Sequence, residues 1–300
     1  MTVSDAFKEF LLSRKYSGLL TKTIDSYKNL IHRFVDFIGA DTDMSCITDD
    51  DLKRYLASLY DLNLSRSSIA SYIRNPRIFL KWYAFEYGKD IQYRFSILKV
   101  PKTPKKAVHL YTPEEIKLIF DSVKISPEWL TFRNWAMIAL MLDSGIRQSE
   151  VAGLRRDCIY FSENNFKVFG KGQKERIVPL GELSAKYLKQ YFSICPFDSD
   201  YAFLSLHGEP ISCDAIKSMT WDLQRNLPFP FSSHLLRHNF ATNYLIDQYE
   251  ESGQMDIYKL AAIMGHEDFK TTMKYLHEAK QLVACSDYNS HLDKVLPAVM

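Results

Sequence analysis

The 300-residue chain contains no apolar run long enough to span a bilayer, so a helical membrane protein is not expected. Asp5, Lys8 and Glu9 interrupt the first residues, which argues against a secretory signal there. Cysteine is sparse. Cys46, Cys158, Cys195, Cys213 and Cys285 are odd in number and widely scattered, and no Cys-x-x-Cys occurs. Neither a disulfide framework nor a zinc ribbon is expected, and a reduced, cytoplasmic compartment is the simplest reading. There is no internal repeat and no low-complexity tract. What remains, at 46% hydrophobic and 25% charged, has the composition of an ordinary globular protein of about two domains.

Net charge is also small, at +2, but it is unevenly spread. Residues 1–108 carry 18 Lys/Arg against 12 Asp/Glu, whereas residues 109–300 carry 20 against 24. Between 66 and 106, ten basic residues face only Glu86 and Asp90. A local excess of this size is the footprint of a polyanion partner, although a solvated helix face beside a basic linker would look the same. Arg74, Arg77, Lys102, Lys105 and Lys106 are the candidate polyanion-binding residues of this stretch.

The pattern predicts a mainly α protein with a small β-sheet. Ile24, Tyr27, Ile31, Phe34, Val35 and Ile38 recur at helical spacing before Gly39. Thr48 precedes three aspartates and then Leu52, Tyr55, Leu56 and Leu59, an N-cap, acidic first turn and apolar stripe. A further helix carries Ile69 to Tyr83, which Pro76 is expected to kink or split. The aromatic stripes are read as core, not as base-stacking surface. Pro101, Pro104 and three lysines then mark an extended linker, and Thr112, Pro113 and Glu115 open a new helix with a capping box. This divides the chain into a helical unit, 1–107, ending in a basic linker, and a mixed α+β unit, 108–300. Short β-prone runs are expected at 159–161, 166–169, 177–180 and 201–206. Helices are expected at 135–142, 185–192, 214–225, 234–247 and 257–264, with a short one around 271–275.

Six polar residues of the second unit form a chemically coherent set: Arg147, Lys171, His234, Arg237, His266 and Tyr275. Two guanidiniums can clamp non-bridging phosphate oxygens, and they stay charged at any relevant pH. His234 and Arg237 are three apart and share a helix face; His266 would be a further donor. Lys171 lies between two glycines at a hairpin tip, from which an ammonium can reach a departing oxygen. A phenol becomes a nucleophile when nearby cations favour its phenolate. Taken singly, each residue is as well explained by a surface ion pair, a helix cap or a loop. His234 and His238 have the i,i+4 spacing of zinc ligands, but neither the zincin glutamate nor a third ligand accompanies them. The glycines around Lys171 do not match a P-loop.

The motifs "SGIRQSEVAGL", "GKGQKERIVPLG", "HLLRHNFAT" and "IMGHEDFKTTMKYLH" resemble those of the tyrosine recombinases, the lambda-integrase-like family. The resemblance is specific in the second half of the chain and architectural in the first. It implies a helical core-DNA-binding domain and a catalytic domain that clamp double-stranded DNA carrying an inverted-repeat site. It also implies Tyr275 as nucleophile, Arg147, Lys171, His234, Arg237 and His266 as its catalytic partners, and Glu150 in support. No cofactor is implied. Four protomers would act through a Holliday junction, with residues 276–300 docking on a neighbour. The segment "IDQYEESGQMDIYKL" is longer than in compact members, and a simple two-domain enzyme without an arm-binding domain is expected. A type IB topoisomerase and a non-catalytic DNA-binding regulator are the rival readings.

Overall fold

The structure is a computed structural model that describes residues 1–88, 92–102, 108–170 and 174–286. The chain divides into two compact units, Met1–Lys106 and Ala107–Met300.

The described residues of the first unit form the α-helices α1 (Val3–Tyr16), α2 (Thr21–Ile38), α3 (Asp49–Tyr60) and α4 (Arg66–Tyr87). Helix α1 is additional to the elements expected from sequence; Thr2 caps it, and it buries Val3, Ala6, Phe7 and Phe10 along one face. Gly39 closes α2 at a φ of 98°, and Thr48 and Asp51 form the capping box of α3. The aromatic residues make the core. Phe10 meets Phe79 and Trp82 edge-on at 5.6 and 5.4 Å, and Phe34 meets Tyr55 at 5.0 Å.

Pro76 does not split α4, which is one helix of 22 residues. A proline lacks the N–H that would bond the carbonyl four residues back, here Tyr72. The Tyr55 hydroxyl donates to that carbonyl at 2.9 Å, so the orphaned acceptor is satisfied from α3.

The second unit runs α5 (Pro113–Ser122), α6 (Glu128–Ser144), α7 (Gln148–Ala152), β1 (Ile159–Tyr160), β2 (Asn165–Phe169), β3 (Glu175–Pro179), α8 (Glu182–Ile194), α9 (Cys213–Asn226), α10 (Ser233–Ser252), α11 (Ile257–Met264) and α12 (Lys270–Ser286). Helix α6 is central, with Ala136, Met137, Ile138, Leu140 and Met141 fully buried and Arg133 and Asn134 buried beside them. The strands form one antiparallel sheet in the order β1-β2-β3, pairing Ile159 with Phe166 and Phe166 with Val178. Period-two alternation puts Phe166 and Val168 of β2 inward, together with Val178 and, at the same parity, Arg176 of β3. Residues 201–206 do not form a strand; only isolated bridges link Tyr201 to Arg155 and Leu204 to Pro210. Helix α12 is much longer than the short stretch expected around 271–275. No helix among the described residues is long and apolar enough to cross a membrane.

Candidate active site

Two helix ends create the site. Helix α6 stops at Gly145, in the left-handed region at φ 60°, and α11 stops at Gly265, at φ 61°. A β-carbon at Gly145 would run into the Phe240 ring, and one at Gly265 would press on the Arg176 guanidinium. Only glycine makes both turns and leaves this room. The two exposed carbonyls then become anchors. Gly145 O accepts from Arg237 Nη1, and Gly265 O accepts from Arg147 Nη2 at 3.0 Å.

Arg147 stands just before α7, and Glu150 reaches back to it. One carboxylate oxygen accepts from the Arg147 backbone N–H at 2.7 Å and the other from Arg147 Nη1 at 3.0 Å. Arg176 completes the arrangement with a bidentate contact to the same carboxylate at 2.7 and 2.8 Å, while its Nε donates to Ile263 O at 2.8 Å. Burial of Glu150 opposes its ionisation, but the Arg176 and Arg147 hydrogen bonds outweigh it and hold the carboxyl below its usual range. One buried anion thus orients two guanidiniums.

Arg237 is buried in α10 and contacts neutral groups: Gly145 O, Met264 O at 2.8 Å and His266 Nε2 at 3.0 Å. Burial, reinforced by the Arg147 charge, lowers its pKa to about 10, so it remains cationic at neutral pH. A guanidinium can only donate, so His266 Nε2 accepts and its Nδ1–H points to Thr272 Oγ1 at 2.8 Å. Burial and the Arg237 charge take His266 down to about 4. His266 is therefore a neutral acceptor here, where sequence reasoning expected a donor.

Tyr275 is only 1% exposed. Its ring lies between His238, edge-on at 4.6 Å, and His266, parallel at 6.1 Å. Burial raises the phenol's pKa, and the charges of Arg237 and Arg147 offset part of that rise. His234, a turn before His238, is held below its ordinary value by burial and then by Lys274 and Arg237.

Arg147, His234, Arg237, His266 and Tyr275 line one cleft of about 790 Å³. Lys171 lies outside the described residues; its neighbours Gly170 and Lys174 line the cleft. Of the candidate DNA-binding residues, Arg74 and Lys102 are exposed, Arg77 is half-buried on α4, and Lys105 and Lys106 lie outside the described residues. Among the described residues no three His, Cys, Asp or Glu are grouped as metal ligands. Cleft residues that the sequence candidates did not include are, among others, Arg176, Lys174, Lys274 and Gln148, whose Oε1 accepts from Ser233 at the start of α10 at 2.8 Å. The signal for Arg176 was its parity with Val178.

The phage integrase family model matches residues 110–281, and that of the phage integrase N-terminal SAM-like domain matches residues 6–87. This chain belongs to the phage integrase family, the tyrosine recombinases of the lambda-integrase type. Among curated tyrosine recombinases it is 28% identical over 291 residues to XerD of Halalkalibacterium halodurans, covering 93% of this chain and 95% of that protein. It is 29% identical to XerC of Pediococcus pentosaceus over 94% and 95% of the two chains. Solved recombinases share the fold. A lambda integrase dimer bound to a COC′ core site aligns with a TM-score of 0.73 at 17% identity, over 92% of this chain and 77% of that one. The Tn1549 transposon integrase in complex with transposon right end DNA aligns at 0.70 and 16%, over 96% and 99%.

Proposed function

We propose that this tyrosine recombinase cuts and rejoins double-stranded DNA at an inverted-repeat site, with Tyr275 as nucleophile and a 3′-phosphotyrosyl intermediate. The observation that carries the assignment is the placement of the Tyr275 phenol in the wall of a cleft that also holds Arg147, Arg237, His234 and His266. Arg147 and Arg237 bind the non-bridging oxygens and offset the charge of the pentavalent transition state, already oriented by carbonyls and by Glu150. A phosphate oxygen that takes the donors of Arg237 frees His266 Nε2. His266 Nε2, which carries no proton, is then available to take the phenol proton, and neutral His234 can donate a hydrogen bond to the phosphate. As the Tyr275 oxygen bonds phosphorus, the bond to the 5′-oxygen breaks, and Lys171 supplies that oxygen's proton. A 5′-hydroxyl from a second strand reverses the step, because the phosphotyrosine retains the energy of the broken bond.

The same reading places the enzyme in the cytoplasm and assembles four protomers on two sites. It assigns Arg74, Arg77, Lys102, Lys105 and Lys106 to the DNA backbone. Covalent capture tests it. Wild type and Tyr275→Phe are mixed with fragmented source-genome DNA, denatured in SDS, and the attached DNA is sequenced. Wild-type adducts converging on one inverted repeat, absent from the variant, are the expected result. Adducts without consensus would favour a relaxing topoisomerase; no adduct despite specific binding would favour a regulator.

A further inference from the structure

Five cations line the described cleft: Arg147, Lys174, Arg176, Arg237 and Lys274. Their partners differ. Arg147 and Arg176 share the Glu150 carboxylate, and Lys174 pairs with Glu267 at 2.7 Å. Arg237 is fixed by neutral acceptors. Lys274 makes no hydrogen bond or ion pair among the described residues. Its Nζ lies 4.6 Å from the centroid of the Tyr275 ring, and Glu278, one turn further along α12, acts on it through space.

A half-buried ammonium without a contacting anion is costly, because it has lost water and gained only a π face in exchange. Such a group persists where a ligand completes it. Lys274 lines the cleft together with His234 and His266. The Tyr275 phenol shares the cleft with Arg237 and Arg147, the two guanidiniums proposed above to clamp the attacked phosphate.

We propose that Lys274 is a DNA-contacting residue of this cleft, binding a backbone phosphate next to the one that Tyr275 attacks. The inference rests on the recombinase reading. Its rival is a purely structural brace of the Tyr275 ring, which would leave the salt dependence of DNA binding unchanged.

The probe is the duplex recovered by covalent capture with wild type. Binding by the full chain is measured by fluorescence anisotropy from 50 to 200 mM salt, in the Tyr275→Phe background so that no cleavage intervenes. One lost phosphate contact lowers the slope of log K against log salt by about 0.9, so Lys274→Met should lose about threefold less affinity across that range of roughly 50–200 mM. Lys274→Arg should restore the slope, and Lys274→Gln should repeat the loss. Single-turnover cleavage with Tyr275 present should fall for Met and Gln and recover for Arg. An unchanged slope in both neutral variants would overturn the proposal even if cleavage fell. No adduct from wild type would remove the recombinase reading itself, and this one with it.

Discussion

Replacing Arg176 by Met should disable the site from a position that touches neither Tyr275 nor either of the two proposed phosphate-clamping arginines. The Glu150 side chain is 2% exposed and the Arg176 side chain 12%. Removing one partner of a buried ion pair costs about 3–5 kcal/mol, because the other charge stays buried without compensation. Arg147 keeps its own hold on Glu150, which places the expected loss near the lower end, at about 3 kcal/mol. The Ile263 carbonyl also loses its donor, adding about 1 kcal/mol. Urea denaturation followed by tryptophan fluorescence reports it, since Trp129, Trp135 and Trp221 lie in the second unit and only Trp82 in the first. Single-turnover DNA cleavage should drop with it, because Glu150 then holds Arg147 less rigidly. Combining Arg176→Met with Glu150→Gln should cost less than the sum of the two, by roughly 1–3 kcal/mol of coupling. A loss below about 1 kcal/mol for Arg176→Met, or strict additivity of the pair, would refute the account of Glu150 as a shared anchor.

Acidification should destabilise the catalytic unit. Burial depresses His238 and His266 from 6.5 to about 4, so between those values the unfolded chain binds protons that the folded one refuses. Stability should be complete above about pH 6.5 and decline as the pH falls toward 4, by at most about 3 kcal/mol for the buried His238. A melting temperature that is flat from pH 7 to 5, or a pH slope unchanged in His238→Gln, would contradict this. Gly265→Ala should cost about 1–2 kcal/mol from its left-handed backbone and impair cleavage further, by shifting the carbonyl that anchors Arg147. Wild-type cleavage and stability in that variant would count against the anchor. Tyr55→Phe should cost the first unit about 1–2 kcal/mol by orphaning the Tyr72 carbonyl, and Pro76→Ala should recover most of it by restoring an N–H. No recovery in the double variant would show that the carbonyl was not the cause.

Local signals carried most of the fold. The Thr48 N-cap, the Thr112 capping box, the glycines at Gly39 and Gly145 and the β-prone run of β2 depend on residues a few positions apart, and they are where the pattern put them. The elements misread depend on distant partners. Pro76 is accommodated because Tyr55, from another helix, supplies a donor. Within the run at 201–206, Ala202, Phe203 and Leu204 are buried by packing without forming a ladder. Helix α1 is legible in the spacing of Val3, Ala6, Phe7 and Phe10.

The site divides in the same way. Arg147, His234, Arg237, His266 and Tyr275 were found as a set because each sits in a local motif, and the cleft brings them together. Arg176 escaped because its importance lies in Glu150, 26 residues earlier in the chain. Lys274 escaped because a lysine beside a tyrosine says nothing until its ammonium is seen against the ring. The protonation pattern was hidden for a similar reason. His266 reads as a donor in isolation and becomes an acceptor only when Arg237 is placed against it.

The central claim is that Tyr275, and no other of the eighteen tyrosines, carries the DNA. The most direct measurement is to trap the covalent adduct on the captured duplex, digest protein and DNA, and sequence the nucleotide-linked peptide by mass spectrometry. The account predicts one modified peptide from α12, with the phosphate on Tyr275 and the nucleotide attached through its 3′-oxygen. A nucleotide on another tyrosine, or on a serine, would contradict it.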